Sequence, residues 1–279
     1  MCAKNEEFAK GTDGQNVFFR SWHPVDKARA SVVIIPGFNA HSGYYGWVAE
    51  QLVVDGFAVY AVDLRGRGRS DGERFYVEEF EDYVRDVEAL TDIVKSREAG
   101  NPILMLGHSA GGVVACLYTL DHPAELIGLI CESFAHELPA PDFVLSVFKR
   151  LSHIAPHKHL LRLPTERFSR DPIAVAAMNN DPLIENETQP TQTMAALVRA
   201  DERLKKEFHL ITLPVLILHG TLDENTRPSG SQHFYDTVGS TDKTLKLYDG
   251  GLHDLLNDTD KQLVMTDVKT WISRHLPLG

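Results

Sequence analysis

Five short apolar runs constrain this chain more than any other feature: SVVIIPG, FAVYAVD, PILMLGHS, LIGLICES and PVLILHG. Each is rich in Val, Ile and Leu, scarcely alternates with polar residues, and ends in small or turn-forming residues. Strands read this way when both faces of a parallel sheet are covered. Helical patterns lie between them. From Val77 to Arg97, apolar Phe80, Val84, Val87, Thr91 and Val94 recur at spacings of three and four, with acidic residues opposite. Ala110 to Asp121 predicts a helix of small residues, and Thr259 to His275 another carrying Val264, Val268, Trp271 and Ile272. Strands alternating with helices imply right-handed crossovers and a mostly parallel, doubly wound α/β sheet flanked by helices. Ahead of them, EEFAKGTDGQNVFFRSW reads as two strand pieces around an Asp13-Gly14 hairpin turn.

The rhythm breaks between about Phe134 and Phe208, where prolines recur and the apolar residues suit short helices better than strands. Residues 1–133 and 209–279 are therefore expected to form one core, with residues 134–208 inserted as a helical cap. The net charge of −11 disfavours nucleic acid as a partner, and RGRGRS in so acidic a chain reads as a turn that needs its glycines. The opening MCAKNEEFAK has no apolar core of a signal peptide, and no run approaches the length of a membrane span. Cys2, Cys116 and Cys131 show no CxxC spacing, which points to reduced thiols and a cytoplasmic protein.

The candidate chemistry sits in LGHSAGG, residues 106–112. A serine hydroxyl is a poor nucleophile at neutral pH and needs a base to take its proton. Lifting it above a sheet takes a sharp strand-to-helix turn with strained dihedrals, and side chains at 107 and 111 would collide there. The strand-like PILML before Ser109 and the helix-forming AGGVVACLYTL after it supply that setting. In chains of this pattern the acid and the histidine come later, from loops at the ends of later strands. PVLILHGTLDEN delivers Asp223, and LKLYDGGLHDLL delivers His253. His253 is the expected general base and acid, with Asp223 fixing its tautomer. Glu132, closing another strand, is the rival acid. His108 is expected to point away from the nucleophile. His219 reads as strand-end structure, His233 as an exposed helix residue, and Asp254 and Glu224 as solvated or capping. Backbone N–H groups of Phe38 and Ala110 are the expected oxyanion donors.

These residues resemble the α/β-hydrolase superfamily and, within it, the monoacylglycerol lipases, over nearly the whole length. GFNAHSGYY resembles that family's G-x-G-E-H-S-x-R-Y loop, DLRGRGRSDG its glycine turn, and DKTLKLYDGGLHDLLND its histidine-bearing end; SRDPIAVAAMNNDPL is similar to its segment between cap and core. The resemblance implies a cap over an acyl pocket, hydrolysis of carboxylic esters such as monoacylglycerols, and the triad Ser109, Asp223, His253. The chain departs from that pattern at Pro36, Phe38 and Asn39 and in having GHSAG where the family has G-H-S-M-G. Backbone donors survive such changes, whereas pocket shape need not. Two other readings stand beside this one: a peptidase or amidase of the prolyl-aminopeptidase type, and a catalytically silent binding protein of the same fold.

Residues 138–163 carry Lys149, Arg150, Lys158 and Arg162 against a single acid, Asp142. They read either as a lid making transient contact with a lipid surface or as a helix with solvated cations. No cofactor or metal is called for. His153, His157 and His159 lack a nearby cysteine or carboxylate pair and are interrupted by Pro156.

Overall fold

The computed structural model describes residues 3–137 and 142–276. The chain opens with a hairpin, β1 (Ala3–Lys10) and β2 (Asn16–His23), turning where expected, with Gly14 at φ 86°. There follow β3 (Ala30–Ile35), α1 (Gly46–Val54), β4 (Phe57–Val62), α2 (Phe80–Arg97), β5 (Ile103–His108), α3 (Ala110–Asp121) and β6 (Gly128–Glu132). Next come α4 (Asp142–Ser152), β7 (His159–Leu161), α5 (Pro172–Asn179), β8 (Gln189–Pro190) and α6 (Thr191–Glu207). The chain closes with β9 (Val215–Gly220), α7 (Pro228–Thr237), β10 (Lys243–Tyr248) and α8 (Lys261–His275).

Eight strands form one sheet in the order β1-β2-β4-β3-β5-β6-β9-β10. It is parallel from β4 to β10, and the hairpin adds an antiparallel edge through β2. The five apolar runs are β3, β4, β5, β6 and β9, and every residue of these strands is buried. Their lack of alternation has a direct cause, since successive side chains point to opposite faces. Val33, Tyr60 and Met105 pack with α2 and α3 on one face, while Val32, Val59 and Leu104 pack with α1 and α8 on the other. Both faces are core.

The α2 helix starts three residues later than its periodicity begins, because Glu79 and Asp82 form a reciprocal capping box that sets the first turn at Phe80. Within residues 134–208, α4 packs on α6, and α6 in turn reaches α3 and α2. Met194, Leu197 and Leu204 of α6 belong to the same apolar cluster as the sheet. Strands β7 and β8 pair as a short ribbon that the helical pattern did not announce; with only 3 and 2 residues they are too short to show periodicity. Residues 138–141, at the start of the basic stretch, lie outside the described residues, as does Cys2. No helix among the described residues is long and apolar enough to cross a membrane.

Parallel strands end at a common edge, where ligands of such sheets bind. At that edge stand Ser109 after β5, Glu132 at the end of β6, Asp223 after β9 and His253 after β10.

Candidate active site

Between the last residue of β5 and the first of α3 there is one residue, Ser109, at φ 54° and ψ −120°. A non-glycine residue in such a conformation costs about 1–3 kcal/mol and persists only where its surroundings enforce it. The enforcement is steric. A Cβ on Gly107 would stand 2.4 Å from the carbonyl oxygen of Gly111, and one on Gly111 only 2.1 Å from that of Ile35. The β3 loop comes equally close, since a Cβ on Gly37 would lie 2.7 Å from that of Ser109. Phe38 thus follows a residue packed directly against the serine. Ala110 opens α3, so its N–H has no partner within the helix. Phe38, Ser109, Ala110 and His253 all line one cavity of about 350 Å³. Its remaining wall is mostly apolar, built from Ala135, Phe148, Leu161, Leu163, Met194 and Leu197 among others. A more open groove of about 820 Å³ along Pro24, Lys27 and Val54 contains none of the site residues.

Behind His253 stands Asp223. Its Oδ2 lies 2.7 Å from His253 Nδ1 and accepts from the Thr226 hydroxyl at 2.8 Å. Its Oδ1 accepts from the amides of Asn225 and Thr226 at 2.8 and 3.1 Å. Burial disfavours the Asp223 carboxylate, yet the charge and hydrogen bonds of His253 and His219 outweigh it and hold the acid far below the usual range. It is therefore ionised at any working pH. The His253 ring is 1% exposed and packs edge-on against Phe168 at 5.1 Å.

The rival acid does not reach the histidine's ring. Glu132 Oε1 accepts from the amide of Leu256 at 2.9 Å, and burial pushes its carboxyl well up. Neither ring nitrogen of His108 bonds the serine: Nδ1 has no partner among the described residues, and Nε2 lies 3.2 Å from the backbone carbonyl of His253, whose ring the imidazole packs against at 4.8 Å. Burial, helped by His253, pushes His108 down to about 3, so the ring is neutral and its N–H donates to that carbonyl. It thus holds the backbone of His253 from beneath.

Three side chains differ from their expected settings. Asp254 is 8% exposed rather than solvated, because the chain turns inward after His253; it sits near His108 and Glu132, and burial pushes it up to about 6. His233 is half-buried and hydrogen-bonded to His136 rather than free on its helix. His219 is the last residue but one of β9 and also contacts the acid, with Nε2 3.1 Å from Asp223 Oδ2 and Nδ1 2.7 Å from the Ser231 hydroxyl. Its spacing of four residues before Asp223 was the signal available in the sequence. Glu224 is exposed as expected and pairs with Arg167 at 3.1 Å.

The RGRGRS segment is a turn with Gly66 at φ 70° and Gly68 at φ 50°, but its middle arginine does more than fill it. Arg67 is fully buried, pairs with Glu187, donates to Gln189 at 2.8 Å and lies 4.1 Å over the Phe38 ring. Glu187 also accepts from the Asn39 amide at 2.9 Å. Asn39 itself has φ 55°, a left-handed conformation that asparagine tolerates well. One buried ion pair thereby fixes the loop that carries the Phe38 amide.

The histidines of the inserted segment go to separate partners, His157 to Glu73 at 2.8 Å and His159 to Thr188 at 2.8 Å. Cys116 and Cys131 are buried free thiols with their sulfurs 3.8 Å apart.

The chain is similar over most of its length to several known lipases. The monoacylglycerol lipase of Mycolicibacterium smegmatis is 32% identical over 98% of this chain and 98% of its own length. The Homo sapiens monoglyceride lipase is 31% identical over 94% of this chain and 88% of its own. The crystal structure of Paleococcus ferrophilus monoacylglycerol lipase superposes with a TM-score of 0.82 at 27% identity, covering 99% of both chains. The model of the Hydrolase_4 family, described as serine aminopeptidase, S33, matches residues 26–260. The chain belongs to this Hydrolase_4 family and has the α/β-hydrolase fold of the monoacylglycerol lipases it resembles.

Proposed function

We propose that the protein is a serine hydrolase that cleaves carboxylic esters, monoacylglycerols among them, through an acyl-enzyme. The observation that carries this reading is that a strained Ser109 and His253 line one cavity while Asp223 bonds the far nitrogen of that histidine. Asp223 holds the proton on His253 Nδ1, which leaves Nε2 free to act as base. Ser109 Oγ attacks the ester carbonyl as His253 takes its proton. The N–H groups of Phe38 and Ala110 hold the developing oxyanion. The tetrahedral intermediate then expels the alcohol, which receives that proton. Water, deprotonated by His253, attacks the acyl-enzyme, and the acid leaves as Ser109 regains its proton.

Esters suit the cavity better than aminoacyl groups. An aminopeptidase must hold a substrate ammonium with carboxylates. Among the described lining residues Glu224 is the one carboxylate, and it is exposed and already paired with Arg167. The acyl side of the lining, Phe38, Ala135, Phe148, Leu161, Leu163, Met194 and Leu197, is apolar, Arg162 and Arg167 add positive rather than negative charge, and the volume is small for a ligand site, which favours short-to-medium acyl chains. Residues 134–208 serve as the cap that closes this cavity. Their outer surface exposes Val147, Ile154 and Leu160 beside Arg150 and Lys158, a composition suited to transient contact with an anionic lipid surface. Sedimentation with anionic vesicles tests that contact: a chain left wholly in the supernatant would argue against it. The unbonded thiols suit a reducing, cytoplasmic setting.

The deciding assay is a panel of p-nitrophenyl and glyceryl monoesters of increasing acyl length, run against aminoacyl anilides. Ester hydrolysis peaking at short-to-medium chains is expected. Anilide turnover equal to or above ester turnover would overturn the reading in favour of an aminopeptidase, and no turnover of either in favour of a silent binding protein.

A further inference from the structure

We propose that His136, Glu137 and His233 form a binding site for a zinc-class divalent transition-metal ion where the chain leaves the sheet. The site is separate from the Ser109 cavity. His136 and Glu137 follow β6, His233 lies on α7, and Asp201 approaches from α6. The ligand atoms of His136, Glu137 and His233 all lie within 4.8 Å of one another.

The chemistry of the group is set by Asp201. Its carboxylate accepts a hydrogen bond from Nδ1 of His136, whose side chain is fully buried. An ionised carboxylate can only accept, so the proton of His136 sits on Nδ1 and Nε2 presents a lone pair. A histidine backed by a carboxylate in this way is oriented and made more basic, as in metal-ligating histidines generally. The lone pair faces His233 Nδ1 at 2.9 Å, and that nitrogen lies 3.6 Å from Glu137 Oε1. The other Glu137 oxygen accepts from the Ser229 hydroxyl at 2.9 Å, which aims the carboxylate. Glu137 holds φ 56°, an unusual conformation for a side chain of its size.

Bonds of about 2.0–2.1 Å in a tetrahedral arrangement set donor atoms roughly 3.3 Å apart. The separations of 2.9 and 3.6 Å from His233 Nδ1 bracket that value and the remaining pair lies within 4.8 Å, so the ion enters once the two rings part slightly and Glu137 closes on His136. On binding, the proton shared between the rings moves to the other nitrogen of His233 by exchange with solvent, and no redox partner is needed. Phe134 stacks beside His136 at 5.8 Å and Phe208 meets it edge-on at 5.1 Å, giving the ligands an apolar backing. The side chains of His233 and Glu137 are 39% and 33% exposed, which leaves a route in and an outward position for water as fourth ligand. Two imidazoles with one carboxylate select zinc, cobalt or nickel over calcium or magnesium, which take oxygen ligands. The ion would tie the start of the inserted segment to α7.

The test is calorimetric titration of Zn²⁺ into the metal-free protein, with Co²⁺ absorption as a second readout. One site per chain is expected, with a Kd in the micromolar range or below and the visible bands of a four-coordinate cobalt ion. His233→Ala and Glu137→Gln, both partly exposed, should each weaken binding at least tenfold while His157→Ala leaves it unchanged. Zn²⁺ should raise the Tm of the unsubstituted protein and not that of His233→Ala. Absence of saturable binding below about 100 µM, or binding that both site substitutions leave intact, would overturn the proposal.

Discussion

Replacing Asp223 by Asn tests the proposed proton path with almost no change of shape. The Oδ1 position is fixed by two amide donors, Asn225 at 2.8 Å and Thr226 at 3.1 Å, so the amide oxygen of the new residue must stay there. Its NH₂ then falls at the Oδ2 position, 2.7 Å from His253 Nδ1. An NH₂ donates, so Nδ1 must become an acceptor and the imidazole proton moves to Nε2. In that tautomer the ring cannot take a proton from Ser109. Loss of the correct tautomer in a Ser-His-Asp site is worth about 10⁴ in kcat, or roughly 5 kcal/mol of barrier. The assay is hydrolysis of p-nitrophenyl butyrate at pH 8, with kcat and KM determined separately. A fall in kcat of about 10³–10⁴ with KM little changed is expected. Glu132→Gln serves as comparator, because Glu132 bonds the Leu256 amide rather than the ring, and it should retain activity within tenfold. Asp223→Asn within tenfold of the unsubstituted protein, or Glu132→Gln losing as much as Asp223→Asn, would refute the assignment.

Three further outcomes follow from the same geometry. Ser109→Gly and Ser109→Ala should both be inactive, but the glycine form should be the more stable by about 1–2 kcal/mol in urea unfolding. It alone relaxes the strain at φ 54°, less the entropy glycine costs, and a less stable glycine form would contradict the strained elbow. Glu187→Ala should lower unfolding free energy by about 3–5 kcal/mol and ester turnover at least tenfold. It strands a buried Arg67 and frees the Asn39 amide, so a loss under 1 kcal/mol would contradict the role of that pair. Asp254→Asn should raise Tm by roughly 2–5 °C at pH 8 and not at pH 4. Burial lifts the carboxyl to about 6 in the fold, so its ionisation costs stability that is absent below about 4 and fully felt above 6. A gain equal at both pH values would contradict the buried acid.

Much of the sheet was legible because parallel strands buried on both faces leave unbroken apolar runs, and β3, β4, β5, β6 and β9 are those runs. The α3 helix matched its expected limits, since the glycines and Ser109 define its start sterically. The order of Ser109, Asp223 and His253 was legible for a related reason: each follows a strand, and parallel strands deliver their ends to one edge. What escaped were contacts between distant segments. Arg67 looks like one of three turn arginines until folding sets it against Glu187, 120 residues later. His136 and His233 are 97 residues apart, and nothing local marks them as a pair. Asp254 stands at the start of the turn over Leu255–Asn257, as a capping residue would, but it is buried where a charged residue in a glycine-rich loop normally faces water, because this loop tucks it beside His108 and Glu132.

The most direct test of the central claim is labelling with a fluorophosphonate, followed by intact-mass and peptide mass spectrometry. One adduct per chain is expected, located on Ser109, absent from Ser109→Ala and much slower to form in His253→Ala. An adduct on any other residue, or an active esterase that takes none, would contradict it.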